Sequence, residues 1–61
     1  MKYYVHGRGF HAGYLSLTPE GKRLWSDKIQ YFNSISEIPE IPSYILYEIL
    51  DENHNLIYSN D

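Results

Sequence analysis

The sequence predicts a small α+β fold in which one short helix packs on one face of an antiparallel β-sheet. Three observations support this prediction. Aromatic and β-branched residues recur in short runs, turn-forming residues separate those runs, and one segment carries a helix-capping pattern. The predicted order of elements is β-β-(β)-α-β-β, where the third strand is the least defined.

The first two strands form a predicted hairpin. Residues 2–7 (KYYVHG) and 13–17 (GYLSL) both have strand composition, and Arg8–Ala12 has the length of a hairpin loop. The following Thr18–Gly21 is typical of a type I turn, because proline fixes φ at the second position and glycine is common at the fourth.

The sequence patterns that predict the later strands differ in strength. Residues 22–26 predict a short third strand, and residues 28–32 either extend it or begin another. Residues 44–50 (YILYEIL) carry the strongest strand pattern, and residues 56–59 (LIYS) are their predicted hairpin partner. The intervening residues 51–55 contain no glycine, so one of the asparagines or the histidine must supply any positive φ.

The single helical segment is predicted between residues 33 and 43. Ser34 opens an S-x-x-E capping box, and isoleucines recur within the segment at a spacing of three. With Ser34 as the cap, Pro39 falls beyond the first turn; with Ser36 as the cap, it lies inside that turn. Pro42 ends the segment in either case, so the sequence predicts one or two turns that cover the sheet.

Length and composition limit the function classes. A chain of 61 residues predicts a single domain, residues 1–61, with a small core. The absence of cysteine excludes disulfides and thiolate zinc sites and suits a reducing compartment. No apolar run approaches the roughly 20 residues of a membrane span, and the first residues do not resemble a signal peptide. We therefore expect a soluble cytoplasmic protein without a membrane partner.

The charge is unevenly distributed along the chain. The net charge is −3; most of the basic residues precede Trp25, and most of the acidic ones follow it. This pattern predicts a polarised surface. The acidic balance disfavours binding to a nucleic-acid phosphate backbone, so we do not expect nucleic acid as the main partner.

The segment VHGRGFHAGYL, residues 5–15, contains two patterns that suggest ligand sites. Its G-x-G-x-x-A spelling matches a dinucleotide-binding loop, but that loop must open a helix and here a strand pattern follows. His6, His11 and His54 lack the spacing of a metal site. No serine lies in a nucleophile motif. The sequence therefore predicts no catalytic activity, no metal and no cofactor.

The residue types that remain favour protein binding. The chain has seven tyrosines, two phenylalanines and one tryptophan, more aromatic rings than a small core can cover, and such rings dominate interface hot spots. An edge strand at 56–59 can also pair with a second copy or a partner sheet. The predicted contact residues come from the glycine-rich loop and an acidic region; they are Arg8, Phe10, His11, Glu48, Asp51 and Glu52.

An alternative function is binding of a single-stranded nucleic acid or a nucleotide through residues 6–13. Arg8, Phe10 and His11 combine positive charge with an aromatic ring in that loop. Further basic and aromatic side chains lie nearby in the sequence, among them Lys22, Arg23 and Trp25. The net negative charge counts against this alternative.

About half of the chain resembles a pattern found in small phage-encoded accessory proteins: an aromatic strand, G-Y-L, W-[ST] and F-x-[ST] before a short helix. The matching residues are Gly13, Tyr14, Leu15, Trp25, Ser26, Phe32 and Ser34. The resemblance implies an inhibitor that binds and blocks a host or defence protein in the host cytoplasm.

Overall fold

A computed structural model describes all 61 residues of the chain. Its fold is built on one five-stranded antiparallel sheet. The strands are β1 (Tyr3–Gly7), β2 (Gly13–Leu17), β3 (Arg23–Ser26), β4 (Tyr47–Asp51) and β5 (Leu56–Ser59). Their order across the sheet is β3-β2-β1-β4-β5, so the first strand occupies the centre. The predicted antiparallel sheet is confirmed, and its two edges are β3 and β5.

The central strand β1 has different neighbours along its length. It pairs with β4 throughout, from Tyr3 opposite Asp51 to Gly7 opposite Tyr47. It pairs with β2 only over its last two residues. Beside its first residue lies Phe32, which exchanges two backbone hydrogen bonds with Tyr3, at 2.7 and 2.9 Å. Residues 28–32, predicted to extend β3 or to begin another strand, therefore contribute one isolated bridge, at Phe32.

A small core lies on one face of the sheet. Val5, Leu15 and Ile49 from the three central strands are buried and contact one another. The long connection between β3 and β4 covers this face and also buries Phe32 and Ile45. The half-buried residues packed around the core are Tyr3, Trp25, Ile38, Ile41 and Tyr47. Only 8 of 61 residues are buried, so stability depends on few contacts.

The predicted helix does not form, and this prediction was wrong. Residues Ile35–Glu37 make a single 3-10 turn, and the Ser34 hydroxyl bonds to the Ser36 hydroxyl (2.9 Å) instead of capping the turn. The backbone is already extended at Ile38, with ψ of 128°. A residue that precedes proline is pushed out of the helical region, so Pro39 stops the helix before it gains a second turn. The fold is mostly β, with isolated 3-10 turns, and the α+β prediction holds only for its sheet.

The hairpin at the end of the chain is confirmed with shifted bounds. The strand predicted over residues 44–50 begins at Tyr47, because the preceding residues turn: the Ile45 amide donates to the Pro42 carbonyl at 3.0 Å. The predicted positive φ falls on His54, at 67°. The other strands lie within one residue of their predicted bounds.

Candidate interaction surface

The loop between β1 and β2 presents one aromatic side chain to solvent. Residues Gly9–His11 form a 3-10 turn that starts with Gly9 in the left-handed region, at φ 69°. The Arg8 amide donates to the Leu46 carbonyl at 2.9 Å, which fixes the start of the loop to the segment before β4. Phe10 stands at the tip of this turn and is fully exposed.

Gly7 determines how closely the loop approaches the sheet. A Cβ atom at this position would lie 2.0 Å from the His11 carbonyl oxygen and 2.7 Å from the Trp25 ring. Only glycine therefore permits the turn and the indole to lie directly over the end of β1. The His11 ring in turn meets Trp25 edge to face, with centroids 5.9 Å apart.

Phe10 belongs to an apolar surface that we call the loop patch, formed by Phe10, Tyr44 and Leu46. Tyr44 is 79% exposed and Leu46 is 43% exposed. Together with the loop residues around them they surround a cavity of about 330 Å³. At the rim, the Arg8 guanidinium forms an ion pair with the Asp61 carboxylate. Exposed apolar residues within a polar rim are typical of a protein-binding surface.

A second depression, which we call the basic groove, adjoins the loop patch. Its volume is about 560 Å³, and it lies between β3 and the turn that precedes β4. The residues that line it are His11, Gly21, Lys22, Arg23, Trp25, Tyr44 and Ile45. None of these residues carries a carboxylate. Neither Lys22 nor Arg23 forms an ion pair, so the groove is positively charged in a chain of net charge −3.

The face of the sheet opposite the core carries a cluster of aromatic rings. Tyr4 is buried beneath Tyr14, Tyr31 and His54, with ring centroids between 5.7 and 5.9 Å from its own. Its hydroxyl hydrogen-bonds to His54 Nδ1 at 2.8 Å. Burial, together with the neighbouring ionisable groups, raises the pKa of the Tyr4 hydroxyl. These rings mainly stabilise one another.

Glu48, a predicted contact residue, lies on this opposite face. Its Oε1 atom is 3.1 Å from His6 Nδ1, and the His6 ring packs on Tyr14 with centroids 5.2 Å apart. The pairing follows from the register, which places His6 directly opposite Glu48. The side chain is therefore engaged with His6 on the face of the sheet opposite the core and does not line the cavity of the loop patch.

Asp51 and Glu52, also predicted as contacts, lie at the other end of the sheet. Asp51 is buried, and its Oδ1 accepts hydrogen bonds from the amides of Asn53 (2.8 Å) and Asn55 (2.9 Å). The bond from the Asn55 backbone is the largest influence that lowers the pKa of the Asp51 carboxyl, against the opposing effect of its burial. Glu52 accepts a bond from the Lys2 amide at 2.8 Å.

The six predicted contact residues thus fall into three places. Arg8, Phe10 and His11 share the loop, whereas Glu48 and the acidic pair at 51 and 52 do not join them. Sequence reasoning missed Tyr44 and Leu46, which it assigned to a strand. The signal that could have found them is the pair of prolines just before, which favours a turn that exposes its side chains.

No protein-family model, curated protein or solved structure matches this chain. The structure contains no group of three or more histidine, cysteine or acidic residues placed to hold a metal ion. It also contains no helix long and apolar enough to cross a membrane. The surfaces described above are therefore the basis for a functional proposal.

Proposed function

We propose that this chain is a non-catalytic binding module that docks on another protein through the loop patch. The observation that carries the proposal is the full exposure of the Phe10 ring beside two further exposed side chains, Tyr44 and Leu46. Aromatic side chains exposed on a loop are the residues that supply most of the affinity at protein interfaces.

The position of the loop patch supports the same function. The Arg8 amide is bonded to Leu46, so both halves of the patch are attached to the central strands of one sheet. A surface that is already ordered loses little conformational entropy when it binds. The cavity beside Phe10 offers a partner side chain a place to insert, and the Arg8–Asp61 pair provides polar groups at the rim.

In its narrower form, the proposal is that the module blocks a host or defence protein of a bacterial cell. This form rests on the resemblance of Gly13–Leu15, Trp25 and Phe32 to phage accessory proteins. In this form, the domain inhibits its target by covering a surface of it. Inhibition of this kind needs no ligand pocket in the domain itself. The partner would then lose activity in proportion to its occupancy.

The test compares two variants with opposite expected outcomes. The double variant Phe10→Ala/Tyr44→Ala removes the aromatic rings of the loop patch, and Leu24→Ala removes a half-exposed leucine of β3 outside that patch. Tagged chains are incubated with bacterial lysate, the stoichiometric partner is identified, and binding is then measured with both purified proteins. We expect Leu24→Ala to bind like the unmodified chain and the double variant to lose at least about tenfold in affinity.

Two results would contradict the proposal. One is a purified partner that binds the double variant as tightly as the unmodified chain. The other is a folded, monomeric chain that captures no stoichiometric partner. Circular dichroism of each variant separates loss of binding from loss of folding.

A further inference from the structure

We infer that the basic groove binds a nucleotide, a ligand that joins an aromatic base to a phosphate. The groove shares Tyr44 with the loop patch, but it adds two cations and an indole that the patch does not contain. It moves the nucleotide-binding alternative from residues 6–13 to a depression formed mainly by β3 and Tyr44.

The size and walls of the groove fit one such ligand. Its volume of about 560 Å³ lies within the range of roughly 300–1,000 Å³ typical of small-molecule sites. Two of its walls are aromatic: Trp25, which Gly7 and the His11 ring hold in place, and the largely exposed Tyr44. Aromatic side chains of this kind stack with nucleobases of any sequence.

The charges of the groove fit a phosphate. The structure contains two ion pairs, His6–Glu48 and Arg8–Asp61, and neither involves a groove residue. The Arg23 Nη1 atom donates to the Glu40 carbonyl oxygen at 3.2 Å, which orients the guanidinium and leaves its other N–H groups for a ligand. Arginine and lysine are the side chains that most often bind phosphate oxygens.

The turn before β3 places the second cation at the mouth of the groove. Within Thr18–Gly21, the Gly21 amide donates to the Thr18 carbonyl at 2.8 Å, and Gly21 adopts a φ of 83°. The Thr18 hydroxyl accepts a bond from the Lys22 amide at 3.1 Å, so the backbone of Lys22 is fixed beside Arg23. A Cβ atom placed on Gly21 would have no atom beyond its chain neighbours within 4 Å, so the groove is open to solvent beside this residue.

A free nucleotide fits the chain better than a long single strand. The net charge of −3 repels an extended phosphate backbone, and the local positive charge is limited to the groove. A nucleotide within an oligonucleotide presents the same base and phosphate, so the experiment must distinguish these two sources.

The groove contains the only tryptophan of the chain, which provides a direct readout. Trp25 fluorescence is titrated in low salt with adenosine monophosphate, adenosine, inorganic phosphate and a short single-stranded oligonucleotide. We expect saturable quenching by the monophosphate, with an affinity at least about tenfold above that of adenosine or phosphate alone. The oligonucleotide should bind no more tightly than the monophosphate.

Variants at exposed positions locate the site without disturbing the core. The double variant Lys22→Gln/Arg23→Gln should weaken binding of the monophosphate by at least about tenfold, because each cation contributes a charge-assisted hydrogen bond. Lys28→Gln is the matched control, since it removes an exposed lysine outside the groove, and it should leave the affinity unchanged. Neither variant alters the loop patch, so this test and the protein-binding test fail separately.

Three outcomes would overturn the inference. The first is the absence of saturable quenching at millimolar concentrations of every probe. The second is equal binding by the double variant or by adenosine alone, which would leave no role for the two cations. The third is much tighter, steeply salt-dependent binding of the oligonucleotide, which would assign the groove to a single strand instead of a free nucleotide.

Discussion

The two connections at opposite ends of the sheet, residues 8–12 and residues 52–55, are both short but differ in internal bonding. In the second, the Asp51 carboxylate binds two backbone amides of its own turn, and the His54 ring bonds to the Tyr4 hydroxyl. In the first, no side chain caps the 3-10 turn, and its backbone bonds measure 3.2 and 3.4 Å. One connection uses its polar side chains for its own folding, whereas the other leaves the Phe10 ring to solvent.

The comparison supports the proposed position of the partner-binding surface at the loop between β1 and β2. A carboxylate that already accepts three hydrogen bonds, as Asp51 does, gains little from a fourth contact. A phenyl ring in water gains from any apolar surface that covers it. The loop at Phe10 is therefore the end of the sheet that favours a partner, and the following variants test that contrast.

The largest expected effect on stability is at Gly7, where the absence of a side chain lets the loop lie against the sheet. Gly7→Ala should lower the free energy of unfolding by about 3 kcal/mol, because the new methyl group overlaps the His11 carbonyl and the Trp25 ring. Gly9→Ala is the control: its position has a positive φ but free space around it, so we expect a loss of about 1 kcal/mol. Urea denaturation measures both values. Equal losses would show that the loop is not held against the sheet.

The next effect is at His54, which supplies the positive φ of the other connection. His54→Val should cost about 2 kcal/mol, since a β-branched residue is strained at a φ of 67° and the Tyr4 hydroxyl loses its partner. His54→Asn tolerates the left-handed region and should cost about half as much. If both variants lose the same stability, the hydrogen bond and not the backbone conformation accounts for the effect.

A smaller effect, visible mainly as a pH dependence, is expected at Asp51. Folding lowers the pKa of the Asp51 carboxyl, so the ionised carboxylate stabilises the folded state. This stabilisation is complete above the unfolded pKa of about 3.9. It disappears as the pH falls through the lower pKa of the folded state. Asp51→Asn keeps a side-chain oxygen acceptor but has no charge. The difference in unfolding free energy between the two chains should be greatest near neutral pH and shrink below pH of about 4. A constant difference across this range would contradict the assigned hydrogen bonds.

The smallest effect on stability is expected at Phe10. Phe10→Ala should change the free energy of unfolding by less than about 0.5 kcal/mol, because the ring is fully exposed and covers nothing. Thermal denaturation checks this value. A substantially larger loss would show that the ring packs within its own chain, and the contrast between the two connections would then disappear.

Much of the sheet could be predicted because its signals are local. Alternating and aromatic runs identify the strands at 13–17 and 56–59, and the lack of glycine in residues 51–55 correctly limits the positive φ to a few side chains. The predicted helix does not form because Pro39 pushes the residue before it out of the helical region, and the capping pattern at Ser34 does not offset this effect.

The candidate site could be predicted only in part, for a physical reason. Phe10 follows from the loop itself, but Tyr44 and Leu46 join it only because β1 and β4 pair across most of the chain. Composition also does not distinguish a carboxylate on the surface from one that holds a turn, as Asp51 does. Contacts between distant segments assemble the loop patch, whereas Asp51 is held by bonds from residues two and four positions later in the chain.

The central position of β1 has a consequence for the folding rate. The β1–β4 pairing joins residues 7 and 47 at its inner end and residues 3 and 51 at its outer end, so it cannot form until a long loop has closed. The entropy of that closure is lost before the β1–β4 bonds form, which places this small domain among the slow two-state folders, with times of milliseconds to seconds. A substitution that destabilises β4 is therefore expected to slow folding.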